Sequence, residues 1–319
     1  MWNNFVYSLA LLAQLTGLTL PDIISAEWYL APSYTEQNIY YQVAEKIEQP
    51  EIKNISPAPI KITDDPGPEN LQAQAALVID QETGKILWQK NSEAKLAIAS
   101  LTKLMTALVW FKHQPLAGME HLHTLAPVEN NLIGARLQVD NGDKVRAFDL
   151  LRATLVGSMN NAASALVHST EMPQAEFVAK MNREAQALGL QNTIYTDPTG
   201  LSAGNQSTAV DLVKLFQIIL QYPDLAVPMG MSEHLMETME QKKELRIKNT
   251  NILLKDPDLQ ILAGKTGYIT EAGYCLMVLA KNDQGKQIIA VVLGEPSETS
   301  RISEMKELIQ WTFNNYQWN

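Results

Sequence analysis

The residues best suited to chemistry are a serine and a lysine, Ser100 and Lys103, which interrupt an apolar stretch of the chain. On a helix, side chains three positions apart share a face, so this amine can reach this hydroxyl. A lysine among apolar residues is costly unless its charge is paired or removed, and burial lowers the pKa of an amine. The pattern predicts that a neutral Lys103 accepts the Ser100 proton and so makes the serine a nucleophile.

The surroundings of this S-x-x-K pattern matter because the pattern occurs twice more. Ser92–Lys95 and Ser303–Lys306 have the same spacing, but both lie in charged surroundings that indicate a solvated surface. Only Ser100 and Lys103 stand between apolar runs. Their alternative interpretation is a helix cap followed by a lysine whose charged end reaches solvent.

Two further motifs could serve the same chemistry. Ser158-Met159-Asn160 offers a hydroxyl and an amide that could relay a proton and hold a substrate amide. Lys265-Thr266-Gly267 stands in a predicted strand, where the lysine and threonine could bind a carboxylate. Its glycine would let an extended substrate approach the backbone. Taken alone, the first motif also fits a polar helix end, and the second fits an exposed strand end.

Hydrophobic periodicity predicts the elements that must position these motifs. Apolar and alternating runs predict strands at residues 75–80, 85–89, 261–269, 273–280 and 286–294. Helical spacing predicts helices at residues 97–111, 147–168, 173–188, 208–220 and 298–314. Strands at both ends of the domain and helices between them predict an α/β sheet domain with a helical insert.

Composition divides the chain into three parts. Residues 1–26 resemble an export segment, although no basic residue precedes the apolar run, and an amphipathic N-terminus is the alternative. Residues 27–70 include a proline-rich, polar stretch that predicts an extended spacer. Residues 71–319 should form the compact domain, so deleting the residues before it should leave catalysis intact.

Charge and metal-ligand content exclude several classes of function. The net charge is −10 and no cluster of lysine and arginine occurs, which argues against nucleic acid as a partner. The single cysteine, Cys275, allows no intrachain disulfide. The five histidines show no clustering with a carboxylate along the sequence, so we expect them to be structural. No metal or organic cofactor is predicted.

In their order, the three motifs resemble those of low-molecular-mass penicillin-binding proteins, the D-alanyl-D-alanine carboxypeptidase/endopeptidase family of serine peptidases. The resemblance extends from about residue 71 to residue 313 and includes Asp197–Ser202, Lys248–Asn251 and Glu271–Tyr274. It implies a β-lactamase/transpeptidase-like fold. In that fold an antiparallel sheet is flanked by helices, and the active site lies between the sheet and a helical subdomain.

The resemblance also implies a role for each motif residue. The implied catalytic residues are the nucleophile Ser100, its general base Lys103, and Ser158 in proton transfer. The implied substrate-binding residues are Asn160, Lys265, Thr266, Gly267 and Tyr268. Backbone N–H groups of Ser100 and Tyr268 would form the oxyanion hole. The substrate would be a peptidoglycan stem peptide, cleaved through an acyl-enzyme, and β-lactams would be covalent inhibitors.

Three alternatives remain open in the sequence. Met159, the segment from Lys265 to Gly273, and the lack of further sequence after Asn319 favour an endopeptidase that cleaves cross-links. A class A β-lactamase is disfavoured because no Glu-x-x-Leu-Asn element lies between the second and third motifs. A penicillin-binding sensor with an idle site is the third. Any of these would be exported to the periplasm or the outer face of the cytoplasmic membrane, with a peripheral or N-terminal membrane association allowed.

Overall fold

The computed structural model describes residues 57–115 and 117–318, which fall in a compact unit that begins at Ser56. Its strands are β1 Ile60–Lys61, β2 Ala75–Asp80, β3 Ile86–Lys90, β4 Leu96–Ala97, β5 Leu122–Thr124, β6 Lys144–Arg146, β7 Gln206–Ser207, β8 Glu233–Glu237, β9 Glu244–Lys248, β10 Gln260–Ile269, β11 Gly273–Lys281, β12 Gln287–Glu295 and β13 Tyr316–Gln317. Its α-helices are α1 Thr102–His113, α2 Pro127–Asn130, α3 Ala147–Leu155, α4 Asn160–Ser169, α5 Gln174–Ala187, α6 Ala209–Ile219, α7 Pro223–Gly230 and α8 Glu298–Asn315.

The main sheet has five antiparallel strands in the order β10-β11-β12-β2-β3. Strand β2 is buried along its whole length, and its side chains alternate between two cores as strand geometry requires. Leu77 and Ile79 pack with helix α1 and the helical insert, whereas Ala76 and Val78 pack with helix α8. Helices therefore cover both faces of the sheet. The predicted α/β class and the sheet built from both ends of the domain are confirmed.

Strand β10 forms one edge of this sheet, and the helical part of the molecule meets it there. The last residue of helix α7, Gly230, lies so close to β10 that an added Cβ would stand 2.1 Å from the carbonyl oxygen of Leu262. Helix α7 thus packs against the first half of the edge strand. The second half, from Lys265 onward, lies beside the short 3-10 turn Ala99–Leu101 that leads into helix α1.

The predicted helix over residues 147–168 is wrong in one respect, because it consists of two helices, α3 and α4. The chain breaks between them at Ser158, whose φ of 57° lies in the left-handed region. Backbone groups around the break find partners elsewhere: Val156 accepts from the N–H of Thr250, and the N–H of Asn160 donates to Ala135. These tertiary hydrogen bonds allow the helix to be interrupted inside the protein.

The compact unit begins earlier than residue 71, the boundary expected from composition. Strand β1 pairs antiparallel with β13 at the other end of the chain, and Lys85 donates a hydrogen bond to the carbonyl of Pro59. Part of the proline-rich stretch is therefore packed against the domain. The predicted export segment, residues 1–26, and the first part of the predicted spacer lie outside the described residues.

A further hairpin, β8–β9, lies next to the break between α3 and α4. The hairpin β8–β9 was not predicted, because charged residues recur along both strands. It ends beside the break between α3 and α4, where Ile247 approaches Gly157.

Across residues 57–115 and 117–318, no helix has the length and apolarity needed to cross a membrane.

Candidate active site

Ser100 and Lys103 meet at the start of helix α1. The 3-10 turn that holds Ser100 runs directly into the helix, and Lys103 Nζ lies 2.9 Å from Ser100 Oγ. The lysine side chain is fully buried, whereas Ser100 is partly exposed. The two groups therefore meet across one helical turn, as their spacing predicts.

Lys103 has two other polar contacts, and together they orient its nitrogen. It donates to Asn160 Oδ1 at 2.7 Å and to the carbonyl oxygen of Thr199. Both partners can only accept hydrogen bonds, so they occupy two N–H groups whether the amine is charged or neutral. The position that remains faces Ser100 Oγ. When the amine is neutral, that position holds its lone pair, which is the arrangement a general base for Ser100 requires.

The pKa of Lys103 suits the role of general base for Ser100. Burial in the protein interior lowers the pKa of its amine from 10.5 to about 7, and the negative charge of Asp197 acts in the opposite direction. A group with this pKa is present in both protonation states at neutral pH. It can therefore accept a proton and return it within one catalytic cycle.

Asn160 and Ser158 enter the site from the start of helix α4. Both polar atoms of the Asn160 carboxamide form hydrogen bonds. Its Oδ1 accepts from Lys103, and its Nδ2 donates to the carbonyl of Ile133 at 2.6 Å. Ser158 Oγ lies 2.7 Å from Lys265 Nζ and is almost fully buried. The site thus contains two amine–hydroxyl pairs, Lys103 with Ser100 and Lys265 with Ser158.

Lys265 is buried in the middle of strand β10, not exposed at a strand end. Its Nζ also donates to the carbonyl of Thr266 at 3.0 Å. Burial is the main cause that holds its pKa well below the usual value, and the positive charges of Lys103 and Arg301 act in the same direction. The contact of Lys265 with Ser158 was not predicted from the sequence; binding of a substrate carboxylate remains a prediction.

Gly267 sets the distance between strand β10 and the 3-10 turn. A Cβ at this position would lie 3.0 Å from the carbonyl oxygen of Ile98 and 3.1 Å from the backbone nitrogen of Ser100. The strand can therefore pass close to the backbone of Ser100 only if this residue has no side chain. The backbone N–H groups of Ser100 and Tyr268 remain the predicted oxyanion hole.

Half of the Tyr268 side chain is exposed. Its ring packs against that of Tyr274 on the neighbouring strand, with the ring centroids 4.2 Å apart.

Thr266, the residue two positions before Tyr268, is buried, and its hydroxyl shares a hydrogen bond of 2.5 Å with the hydroxyl of Thr250. Sequence reasoning noted the segment around Thr250 but did not assign it this contact.

Asp197 is the site residue whose role sequence reasoning missed. Its carboxylate accepts hydrogen bonds from the backbone N–H groups of Thr199, Gly200 and Ser202, and from two side chains, those of Thr199 and Asn205. Burial alone would raise its pKa, but these hydrogen bonds hold it below the usual value. The carboxylate therefore shapes the loop that presents the Thr199 carbonyl to Lys103.

One expectation about the histidines is wrong. His123 and His168 both hydrogen-bond to the same carboxylate oxygen of Glu129, at 2.6 and 2.8 Å. His123 lies six residues before Glu129, but His168 comes from another part of the chain, so the cluster forms only in the folded state. Among the described residues no group of three or more His, Cys, Asp or Glu side chains could hold a metal ion.

A comparison with protein families identifies the chain. A family model described as D-alanyl-D-alanine carboxypeptidase, peptidase family S11, matches residues 61–297. The chain belongs to this family. It is therefore a serine peptidase, and the matched range contains all three motifs.

Relatives in the S11 family support the same assignment. The D-alanyl-D-alanine endopeptidase of Pseudomonas aeruginosa is 34% identical over 244 residues, which cover 76% of this chain and 78% of that protein. The D-alanyl-D-alanine carboxypeptidase DacF of Bacillus subtilis is 31% identical over 250 residues, which cover 77% of this chain and 63% of that protein. The carboxypeptidase/endopeptidase resemblance of the sequence is thus confirmed at the level of the family.

Solved structures share the fold. The Streptomyces K15 DD-transpeptidase superposes with a TM-score of 0.71 at 25% identity, covering 79% of this chain and 100% of that chain. Penicillin-binding protein 5 of Haemophilus influenzae superposes with a TM-score of 0.72 at 28% identity, covering 78% of this chain and 73% of that chain. The predicted transpeptidase-like fold is therefore confirmed.

Proposed function

We propose that this S11 peptidase is a serine-type D-alanyl-D-alanine carboxypeptidase that acts on peptidoglycan stem peptides through an acyl-enzyme on Ser100. The observation that carries the proposal is the set of contacts around Lys103. Two permanent acceptors hold two of its N–H groups, and its remaining position faces Ser100 Oγ at 2.9 Å. This arrangement supports an activated serine.

Acylation begins with Ser100. The neutral Lys103 amine takes the proton from the hydroxyl as Oγ attacks the carbonyl carbon of the penultimate D-alanine. The carbonyl oxygen becomes an oxyanion, stabilised by the backbone N–H groups of Ser100 and Tyr268. When the intermediate collapses, the amide C–N bond breaks and the leaving amine takes a proton. Ser158, hydrogen-bonded to Lys265, is the proposed donor in this step. The proton that Lys103 took from Ser100 then replaces the one that Ser158 gave up, so Lys103 is neutral again before deacylation.

Deacylation uses the same groups in reverse order. A water molecule attacks the ester carbonyl and gives a proton to Lys103. The ester bond to Ser100 Oγ then breaks, and Lys103 returns this proton to the serine. The shortened stem peptide leaves with a new carboxylate.

Lys265 and Thr266 would hold the terminal carboxylate of the substrate, through charge and hydroxyl contacts, while the extended peptide lies along strand β10.

An endopeptidase is the second candidate. Its chemistry is the same, except that the leaving amine belongs to the side chain of a second stem peptide instead of free D-alanine. The endopeptidases of Pseudomonas aeruginosa and Haemophilus influenzae, at 34% and 33% identity, favour this alternative. The segment Lys265–Gly273, which resembles the endopeptidase branch, favours it too.

Purified muropeptides separate the two candidates. The enzyme is incubated with an uncross-linked pentapeptide and with a cross-linked dimer, and products are identified by mass spectrometry. A carboxypeptidase releases D-alanine from the pentapeptide, whereas an endopeptidase converts the dimer to monomers. Ser100→Ala is the control and should leave both substrates intact. If the wild-type protein leaves both intact as well, the proposed function is wrong.

Binding of β-lactams follows from the same mechanism. The β-lactam carbonyl would acylate Ser100, and slow hydrolysis of that ester would make the protein a penicillin target. A serine β-lactamase would instead release the product rapidly. Sustained turnover of the chromogenic cephalosporin nitrocefin would therefore favour the β-lactamase, and covalent labelling without turnover favours the peptidase. A sensor with an idle site would label with penicillin and cleave neither muropeptide.

The proposed substrate also implies a location. Cross-linked peptidoglycan lies outside the cytoplasmic membrane, so we place the protein in the periplasm or on the outer face of that membrane, with a role in cell-wall organisation and cell shape. The expected export segment, and with it an N-terminal membrane association, involves residues outside the described part. Fractionation of cells that produce the tagged full chain tests this placement.

A further inference from the structure

A loop between helix α2 and strand β6, residues 131–136, forms one wall beside Asn160. The carbonyl of Ile133 accepts from Asn160 Nδ2 at 2.6 Å, and the carbonyl of Ala135 accepts from the backbone N–H of Asn160 at 2.7 Å. A Cβ on Gly134 would lie 2.9 Å from Asn160 Nδ2. The loop is therefore in direct contact with a residue that also binds Lys103.

The next residue of helix α4, Asn161, fixes the base of this loop. Its carboxamide accepts from the N–H of Leu137 at 2.8 Å and donates to the carbonyl of the same residue at 2.9 Å. It also donates to Asn130 Oδ1 at 2.8 Å. Asn160 thus binds the middle of the loop and Asn161 binds its two ends. Side chains that project from the loop therefore have a defined position relative to Ser100 and Lys103.

Ile133 and Arg136 are among the exposed side chains of this fixed loop. Ile133 has 74% of its surface exposed, and Arg136 is exposed next to Ala135. One guanidinium nitrogen of Arg136, Nη1, donates to the carbonyl of Asn130 at 2.6 Å, which orients the group. Within residues 57–115 and 117–318, no carboxylate forms an ion pair with Arg136. Most of its five N–H donors are thus available to a ligand.

Arg136 differs from the cationic side chains inside the site because it is exposed. The chain as a whole carries a net charge of −10, and the cationic side chains inside the site, Lys103 and Lys265, are buried. A guanidinium that forms no ion pair with a described carboxylate, on the loop that contacts Asn160, therefore offers an external point for a carboxylate, with the planar geometry that favours two parallel hydrogen bonds. Peptidoglycan stem peptides carry such carboxylates on their acidic residues, in addition to the C-terminal one.

We propose that Arg136 is a specificity-determining residue that binds a carboxylate of the stem peptide other than its C-terminal carboxylate. This inference rests on the proposed function, because it assumes that a stem peptide occupies the site. Ile133 lies three residues earlier on the same wall and would cover the apolar part of the same peptide. The enzyme would then distinguish stem peptides by the free or amidated state of their acidic residues.

Three peptides and one charge reversal test the proposal. The peptides are L-Ala-γ-D-Glu-meso-diaminopimelyl-D-Ala-D-Ala, the same peptide with its acidic residues amidated, and diacetyl-L-Lys-D-Ala-D-Ala, which has only its C-terminal carboxylate. For Arg136→Glu we expect kcat/KM to fall roughly tenfold or more on the free acidic peptide. The other two peptides should be cleaved as by wild type. The fall should become smaller at high salt, since the contact is at the surface.

Arg183 provides a matched control. It is an exposed arginine on helix α5 that forms no hydrogen bond with any site residue, so Arg183→Glu changes the net charge equally without touching the loop. This variant should cleave all three peptides as wild type does. Arg136→Gln, which keeps a hydrogen-bonding side chain without charge, should show an intermediate loss on the acidic peptide alone.

The remaining outcomes are distinct. Equal losses on all three peptides with Arg136→Glu would show that the variant disturbs the loop or Asn160, and would overturn the proposal. No loss on the acidic peptide, or the same loss with Arg183→Glu, would overturn it as well. Wild-type protein that cleaves none of the peptides would overturn the proposed function, and this inference with it.

Discussion

At the scale of single residues, activation of Ser100 depends on the directions in which the Lys103 nitrogen is bound. Asn160 Oδ1 and the Thr199 carbonyl are acceptors in every protonation state, so they fix two N–H groups of Lys103. Ser100 Oγ occupies the remaining direction. Sequence spacing predicted the contact between Ser100 and Lys103, because three residues make nearly one helical turn. It could not predict the Thr199 carbonyl, because backbone groups carry no signal in the residue pattern.

The pKa of Lys103 predicts a pH dependence of acylation. Below about pH 7 the amine is mostly protonated and cannot accept the Ser100 proton; above it the amine is mostly neutral. The second-order rate constant for acylation by a fluorescent penicillin should therefore rise with pH and level off above about pH 7. A rate constant that is unchanged between acidic and alkaline pH would contradict this assignment.

Replacing Lys103 by arginine should abolish acylation. A guanidinium stays protonated at any pH at which the protein is folded, so the base is lost although the positive charge remains. Labelling by fluorescent penicillin measures the effect. Lys95→Arg is the matched control, since Lys95 belongs to another S-x-x-K pattern but is exposed, and it should label at the wild-type rate. A Lys103→Arg protein that labels normally would show that another group is the base.

At the scale of elements, the site lies where strand β10 passes the 3-10 turn. Substituting Gly267 by alanine should push these elements apart, because the new Cβ would stand 3.0 Å from one backbone oxygen and 3.1 Å from the Ser100 nitrogen. We expect acylation to slow by at least tenfold, on the order of 1.4 kcal/mol in the barrier. A thermal unfolding curve close to that of wild type would show that the loss is local. Unchanged acylation would mean that the close approach is not required.

The sequence predicted most elements but not the details that complete the site. Long apolar runs predicted strands β2, β11 and β12, and the capping pattern predicted helix α6, where Thr208 accepts from the N–H of Asp211 at 3.1 Å. The break at Ser158 was missed, because its left-handed backbone depends on tertiary hydrogen bonds. The role of Asp197 was missed because most of its partners are backbone N–H groups, which leave no residue pattern. The Glu129 cluster was missed because His168 comes from a distant part of the chain.

At the scale of the whole molecule, the two ends of the compact unit are joined. Strand β1 pairs with β13, and just beyond β13 Trp318 donates to Asp80 Oδ1 at 2.7 Å. In addition, the hydroxyl of Tyr316 donates to the carbonyl of Leu87 at 2.6 Å. The ends of the compact unit therefore bind the hairpin β2–β3, at the opposite edge of the sheet from strand β10.

This arrangement predicts that two truncations differ. A chain that begins at residue 57 should keep the unfolding temperature and the acylation rate of the full chain. A chain that begins at residue 71 loses β1, so its Tm should fall by several degrees, while acylation at low temperature is kept because the site is intact. Thermal unfolding and penicillin labelling of both proteins measure this. Equal Tm values would show that the β1–β13 pairing does not stabilise the domain.

The most direct measurement identifies the residue to which benzylpenicillin becomes covalently bound. Wild-type protein is incubated briefly with the compound, digested and analysed by mass spectrometry. We predict one added penicilloyl group on the peptide that contains Ser100, and no added mass in Ser100→Ala. A label that persists in Ser100→Ala, or that lies on Ser92 or Ser303, would contradict the claim that the amine of Lys103 activates Ser100.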